Sequence, residues 1–152
     1  MSKDEETFRR LIAELRLLEG TAEALQNRMN LVNAAMTELA FASATIEGLA
    51  KEKGGTPMLV PVGGGSFIKA EASTTETVVV GMGAGVSVEK PRDEAKQIVE
   101  KRVAELEKSL GSLQQQFNQV IERMHIKRQQ LEEMSAKLRR QAGDVREAEG
   151  GF

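Results

Sequence analysis

The sequence predicts an α+β fold: a long antiparallel two-helix coiled coil with two β-hairpins at one end, the hairpins serving to oligomerise the chain. Three observations predict it. In both flanks of the 152-residue chain, apolar residues recur at alternating steps of three and four. The middle, Gly54 to Pro91, holds all three prolines, eight of the fourteen glycines and only five charged residues. Finally, there is no Trp or Tyr and Phe occurs five times, too few aromatics for an ordinary compact core but suited to an extended helical protein.

The first helix is expected over residues 2–53. One apolar row is Phe8, Leu15, Ala22, Met29, Met36, Ser43 and Ala50; the other is Leu11, Leu18, Leu25, Val32, Leu39 and Ile46. Only Ser43 is polar, and spacing of this kind is that of a coiled-coil seam rather than one face of a globular helix. Ser2 or Asp4 can cap the start, and Asp4, Glu5 and Glu6 suit the positive end of the helix dipole. Lys51 and Lys53 ahead of Gly54 and Gly55 form a stop signal. At about 1.5 Å per residue the helix would be roughly 75 Å long.

The middle, residues 54–91, reads as two hairpins. Met58–Val62 and Phe67–Ala72 are β-prone runs around Gly63-Gly64-Gly65-Ser66, and Thr77–Val80 and Val86–Glu89 form a second pair around Gly81-Met82-Gly83-Ala84-Gly85. Pro61 cannot donate to a ladder, which places its strand at an edge. The spacing Gly81-x-Gly83-x-Gly85 imitates part of a dinucleotide fingerprint. The third glycine three residues after the second is missing, however, and strand-like Val86-Ser87-Val88 stands where a helix should begin, so a turn is the better reading. Four short strands cannot bury a core alone, and exposed edges recruit further strands. Leu59, Val60, Val62, Phe67, Ile68, Val78, Val79, Val80, Val86 and Val88 are therefore expected to form the oligomerisation surface.

The second helix is expected over residues 92–146, with Pro91 at its first turn and Asp93 and Glu94 behind it. Its seam runs Val99, Val103, Leu106, Leu110, Leu113, Phe117, Val120, Met124, Lys127, Leu131, Met134, Leu138, Gln141 and Val145, with Lys127 and Gln141 as polar interruptions. Residues 147–152 read as a flexible tail. Returning from the hairpins, the second helix must run antiparallel to the first. The two helix ends then set Ile46 level with Lys96, Leu25 with Phe117, Leu18 with Met124 and Leu15 with Lys127. Near the hairpins the seam is loosely sealed by Lys96. At the far end Phe8, Leu11, Ile12, Leu15, Leu131, Met134 and Leu138 have incomplete cover. Framed by charge, they are either a binding surface or the frayed end of an ordinary seam.

Other functions find little support. Lys and Arg total 21 and Asp and Glu 23, a net charge of −2 without the basic excess of a nucleic-acid binder. With no Cys there are neither disulfides nor thiolate metal sites. No run approaches the roughly 20 apolar residues of a membrane span, and the charged start MSKDEETFRR lacks a signal-peptide core, so a cytoplasmic protein is expected. His125 is the only histidine and sits beside the seam without partners for metal or acid–base work; no catalytic, metal or cofactor site is expected.

The order helix, two hairpins, helix resembles the prefoldin alpha subunit family, and residues 1–152 read as a single prefoldin-like domain. The most specific segments are Leu59-Val60-Pro61-Val62-Gly63-Gly64-Gly65-Ser66-Phe67-Ile68 and Val78-Val79-Val80-Gly81-Met82-Gly83-Ala84-Gly85-Val86-Ser87-Val88-Glu89-Lys90. Two hairpins look like the alpha class, since the beta class has one, and the simple tails look archaeal. The resemblance implies a hexamer of two alpha and four beta subunits, with the hairpins joined in a β-barrel platform. It implies that the coiled-coil tips hold unfolded proteins without ATP and pass them to a group II chaperonin. A filament-forming relative shares the layout, so a structural scaffold subunit is the alternative.

Overall fold

The computed structural model describes residues 2–150. Six elements follow in order: α1 (Lys3–Leu49), β1 (Pro57–Gly63), β2 (Ser66–Glu71), β3 (Thr77–Gly83), β4 (Val86–Pro91) and α2 (Arg92–Glu149). Two long helices flank two antiparallel hairpins, as the sequence predicts.

The strands run to slightly different ends than expected, β3 as far as Gly83, and the helix ends differ for local reasons. At its start α1 uses Ser2, whose Oγ accepts the Glu5 amide at 3.2 Å, as its cap. Its other end comes at Leu49 rather than Lys53, so Lys51 and Lys53 lie outside the last turn. The carbonyls of Gly48 and Leu49 are taken by the amides of Lys51 and Glu52 in tight three-residue turns that unwind the helix. Pro91 is the last residue of β4, opposite Thr77, and not the first turn of a helix. The Arg92 amide donates to Glu76 O at 2.8 Å, and α2 starts there. Beyond residue 146, Glu147 to Glu149 remain helical, and the Gly150 amide closes onto Arg146 O. These residues belong to the tail expected over 147–152, of which Gly151 and Phe152 lie outside the described residues.

Each hairpin is a separate two-stranded sheet, so every strand keeps a free edge, that of Pro61 included. The two ladders are related by a shift of twenty residues: Pro57↔Glu71 becomes Thr77↔Pro91, and the irregularity between Pro61 and Gly63 becomes one between Gly81 and Gly83. Both turn on two central residues of positive φ, Gly64 (58°) with Gly65 (75°), and Ala84 (53°) with Gly85 (77°). That is the turn whose twist matches paired strands.

Packing divides the chain into two units, each taking a piece of both helices: Val32–Ser109, and the residues up to Leu31 with those from Leu110 on. In the second, the terminal unit, Leu11, Ala22, Leu25 and Met29 of α1 and Leu113, Val120 and Met124 of α2 are buried, all of them seam positions. Lys127 meets Glu14 at 2.7 Å and Lys137 meets Asp4 at 3.4 Å, so a step forward on α2 is a step back on α1. The helices are antiparallel, in the register that sets Lys127 beside Leu15.

The hairpin unit, Val32–Ser109, has its own core: Ile46, Val80, Ala95 and Val99, with Leu39, Ala42, Val78 and Ile98 packed against it. The loosely sealed seam expected here is closed by a strand residue. Val80, only 7% exposed, fills the place between the helices while Lys96 reaches outward to Glu47 at 2.8 Å. Burying a valine in this way contributes about 2 kcal/mol. An Arg102 guanidinium donating to Gly81 O, and an Arg92 guanidinium donating to Thr75 O at 2.7 Å, fasten β3 and its approach to α2.

Candidate functional site

Two apolar surfaces are candidates. The first is the end of the terminal unit. There Phe8, Ile12 and Leu131 line one open groove, bordered by Glu132 and Arg139. A second groove is lined by Leu11 and Met134, with Arg10, Glu133 and Lys137 at its rim. Of the seven residues expected here, Phe8, Ile12, Leu15, Leu131, Met134 and Leu138 are half-buried. Leu11, at 5% exposure, is a full seam residue and supports the surface from beneath rather than forming it. Helical spacing carries the grouping: residues three and four apart share a face, and the antiparallel register sets Phe8 and Leu11 near Leu131 and Met134.

Polar contacts close this end. The Gln141 amide donates to Asp4 Oδ2 at 3.0 Å, and Lys137 approaches the same carboxylate. The hydrogen bond from Gln141, and then the Lys137 charge, hold the Asp4 carboxyl below the usual carboxylate range. Further along, the Lys127 ammonium hydrogen-bonds Glu14 and lowers its carboxyl likewise. Both polar interruptions of the α2 seam, Lys127 and Gln141, thus have acidic partners on α1. The sequence marked the interruptions; of the partners, Asp4 falls one heptad before Leu11 on its row, and Glu14 lies outside both rows.

The hairpins form the second surface. Hairpin β1–β2 exposes Leu59, Val60, Val62, Phe67 and Ile68, and none of its apolar side chains is buried. Hairpin β3–β4 exposes Val79 (69%), Val86 and Val88, while Val78 is half-buried and Val80 buried. Val80 is therefore corrected from surface to core: it shares the face of β3 that meets Ile46, Ala95 and Val99. Met58 and Met82 are exposed on the hairpins as well and were missed among the candidates; Met58 lies in a β-prone run, and Met82 in the stretch read as a turn, which β3 extends through. Exposed Leu17, Leu31 and Phe41 were missed too; their only signal in the sequence is that they fall outside both seam rows.

His125 is exposed, and among the described residues no cluster of His, Asp and Glu could hold a metal ion. No described helix is long and apolar enough to cross a membrane.

Comparison with known proteins agrees with the architecture. Residues 18–137 match the family profile described as Prefoldin subunit. A Prefoldin subunit alpha of Methanopyrus kandleri is 35% identical over 113 residues, 74% of this chain and 72% of that protein. The protein of the same name from Methanosarcina barkeri is 35% identical over 123 residues, covering 79% and 85% of the two chains. Among solved structures, a cryo-EM structure of filamentous PFD from Methanocaldococcus jannaschii shares the fold with a TM-score of 0.64 at 24% identity, over 72% of this chain and 91% of that one. Two heptad-patterned helices enclosing two glycine-turned hairpins, and relatives of this similarity across most of the length, place the chain in the prefoldin family, among its alpha subunits.

Proposed function

We propose that the chain is the alpha subunit of an ATP-independent holdase that captures unfolded proteins and delivers them to a group II chaperonin. The family is one of chaperones and not of enzymes. In this reading residues 1–152 work as one prefoldin-like domain in the cytoplasm. Two alpha and four beta subunits join through the hairpins, on Leu59, Val60, Val62, Phe67, Ile68, Val78, Val79, Val86 and Val88. Clients bind at the end carrying Phe8, Ile12, Leu15, Leu131, Met134 and Leu138, with Leu11 behind them.

The observation that carries the reading is the bareness of hairpin β1–β2, whose large apolar residues are all left exposed by its own chain. Contiguous apolar surface of this kind marks an interface. The charge-rimmed grooves at Phe8, Leu131 and Met134 support the capture role, because a half-covered apolar groove with a pliable methionine accepts segments of differing shape.

The test mixes the chain with a beta-type prefoldin subunit and follows light scattering of a denatured client. A defined hetero-oligomer that suppresses aggregation is expected, and deletion of the residues before Leu11 and after Leu131 should remove suppression while assembly survives. Suppression unchanged by the deletion would overturn the assigned client surface. Long polymers of this chain alone, with no client binding, would favour a scaffold or filament subunit instead.

A further inference from the structure

Outside both seam rows, Leu17, Ala24 and Leu31 recur every seven residues along α1, on one side of the terminal unit. All three are exposed, Leu17 at 73% and Leu31 at 71%. Across from them α2 presents exposed Ile126, and Leu17 and Ile126 line one open groove floored by Leu18 with Thr21 and Arg123 at its sides. On this side, between Leu17 and Leu31 on α1 and between Ser112 and Ile126 on α2, the only charged side chains are Arg28 and Arg123. Neither arginine takes part in an ion pair among the described residues; Glu14, at the groove's edge, is occupied by Lys127. The other side of the unit at the same level is an ordinary solvated surface with both signs of charge, where Glu19 pairs with Arg128 at 3.8 Å.

We propose that this side is a docking groove for a third helix, supplied by a partner protein, whose apolar stripe carries acidic residues on its flanks. The spacing argues for a helix. Side chains seven apart stay in line only against another helix, and a second heptad stripe on a helix that already has a seam is the pattern of three-stranded packing. From Leu17 to Leu31 the stripe spans about 21 Å, so roughly fifteen helical residues would cover it. The arginines argue for acid. They are the unneutralised charges beside the apolar strip, so Asp or Glu on the incoming helix would gain, and a lysine-flanked helix would be repelled. The groove is distinct from the residues assigned above to client capture and from the hairpins, so it does not depend on that assignment.

The test uses the full-length chain and two dye-labelled peptides of about 21 residues, three heptads. They share one leucine stripe and differ only in carrying Glu or Lys on its flanks. In fluorescence anisotropy the Glu peptide is expected to bind, more weakly as salt rises, and the Lys peptide not. The double variant Leu17→Ser/Leu31→Ser should weaken binding by about tenfold or more. Arg28→Glu/Arg123→Glu should reverse the preference between peptides. These side chains are exposed, so helical circular dichroism should be unchanged in both variants. Equal binding of both peptides, no binding at micromolar concentration, or affinities untouched by the variants would overturn the proposal. So would sedimentation showing that the groove is filled by a second copy of this chain, with dimerisation lost in the leucine variant.

Discussion

Ala84 is the one described residue other than glycine held at positive φ, 53°. A Cβ in that region costs about 1–2 kcal/mol, a cost the equivalent Gly64 of the other hairpin does not carry. Asn tolerates this conformation and, followed by Gly85, makes the pair most favoured in such turns. Ala84→Asn is therefore expected to stabilise the protein by up to about 1 kcal/mol, read as a rise in the urea midpoint. Val80 is the opposite case. Val80→Ala leaves a hole between Ile46, Ala95 and Val99 and should destabilise by about 2 kcal/mol, whereas Val79→Ala on the exposed face should stay within about 0.5 kcal/mol. The sequence could not tell these valines apart. Val78, Val79 and Val80 form an unbroken apolar run with no alternation to mark an inner face, and which face turns inward depends on where the helices stand. The turns, by contrast, were legible, because positive φ is a local demand that glycine answers locally.

Among the elements, the helices were the most legible, since the seam period is written in every heptad and buried Leu11, Leu25, Met29, Leu113, Val120 and Met124 all fall on it. The end residues were legible as a group but not in degree of cover: Leu11 is buried because the register sets it under α2, a matter of pairing rather than pattern. What the heptads leave ambiguous is a slip by one repeat, and the ion pairs act on that ambiguity. Slipped either way, Lys127 would face Thr7 or Thr21 in place of Glu14, and Lys96 would face Ala40 or Gly54 in place of Glu47. The cysteine-free chain allows a direct check. Leu18→Cys/Met124→Cys should form a disulfide readily, and Leu25→Cys/Met124→Cys, the slipped pair, should not. Adding Lys127→Met should let the slipped pair appear without lowering the melting temperature, because a polar seam residue sets register at a cost in stability.

The same pairs set the pH response of the helices. Hydrogen bonds from Gln141, Lys127 and Lys96 lower the Asp4, Glu14 and Glu47 carboxyls respectively below their ordinary 3.8 to 4.5. A lowered carboxyl contributes stability that is fully present above its ordinary value and is lost as the pH falls through the lowered one. The hydrogen bond it donates to Glu47 raises the Lys96 ammonium above its ordinary 10.5, so its contribution is complete below 10.5 and is lost as the pH rises through the raised value. Thermal melting should thus be flat across neutral pH and decline only at the two extremes. The steps should be small, because these groups are solvated.

At the scale of the whole molecule, the chain keeps its apolar residues in two registers of use, some covered by itself and some left open. The hairpins hold most of the second kind, and a charge placed there should act on assembly rather than on folding. Phe67→Glu is expected to leave the melting of the isolated chain within about 0.5 kcal/mol, since the side chain is already exposed, while abolishing the hetero-oligomer in sedimentation. Retained assembly in that variant would mean that β2 faces solvent in the complex. This scale was the least legible in the sequence. Composition set the hairpins apart, but the partial covering of one follows from how Val78 and Val80 of β3 pack against Ile46, Ala95 and Val99 of the helices, and the other has no such contact in the core.

The twenty-residue relation between the ladders makes Val60 the counterpart of Val80, with Ile68 opposite one and Val88 opposite the other. The same amino acid at the same rung is thus housed once and homeless once. A single aspartate scanned across the two rungs would separate two properties that hydrophobic substitutions usually confound: at residue 80 it should ruin the solitary chain, and at residue 60 it should leave that chain whole and only make it a bachelor.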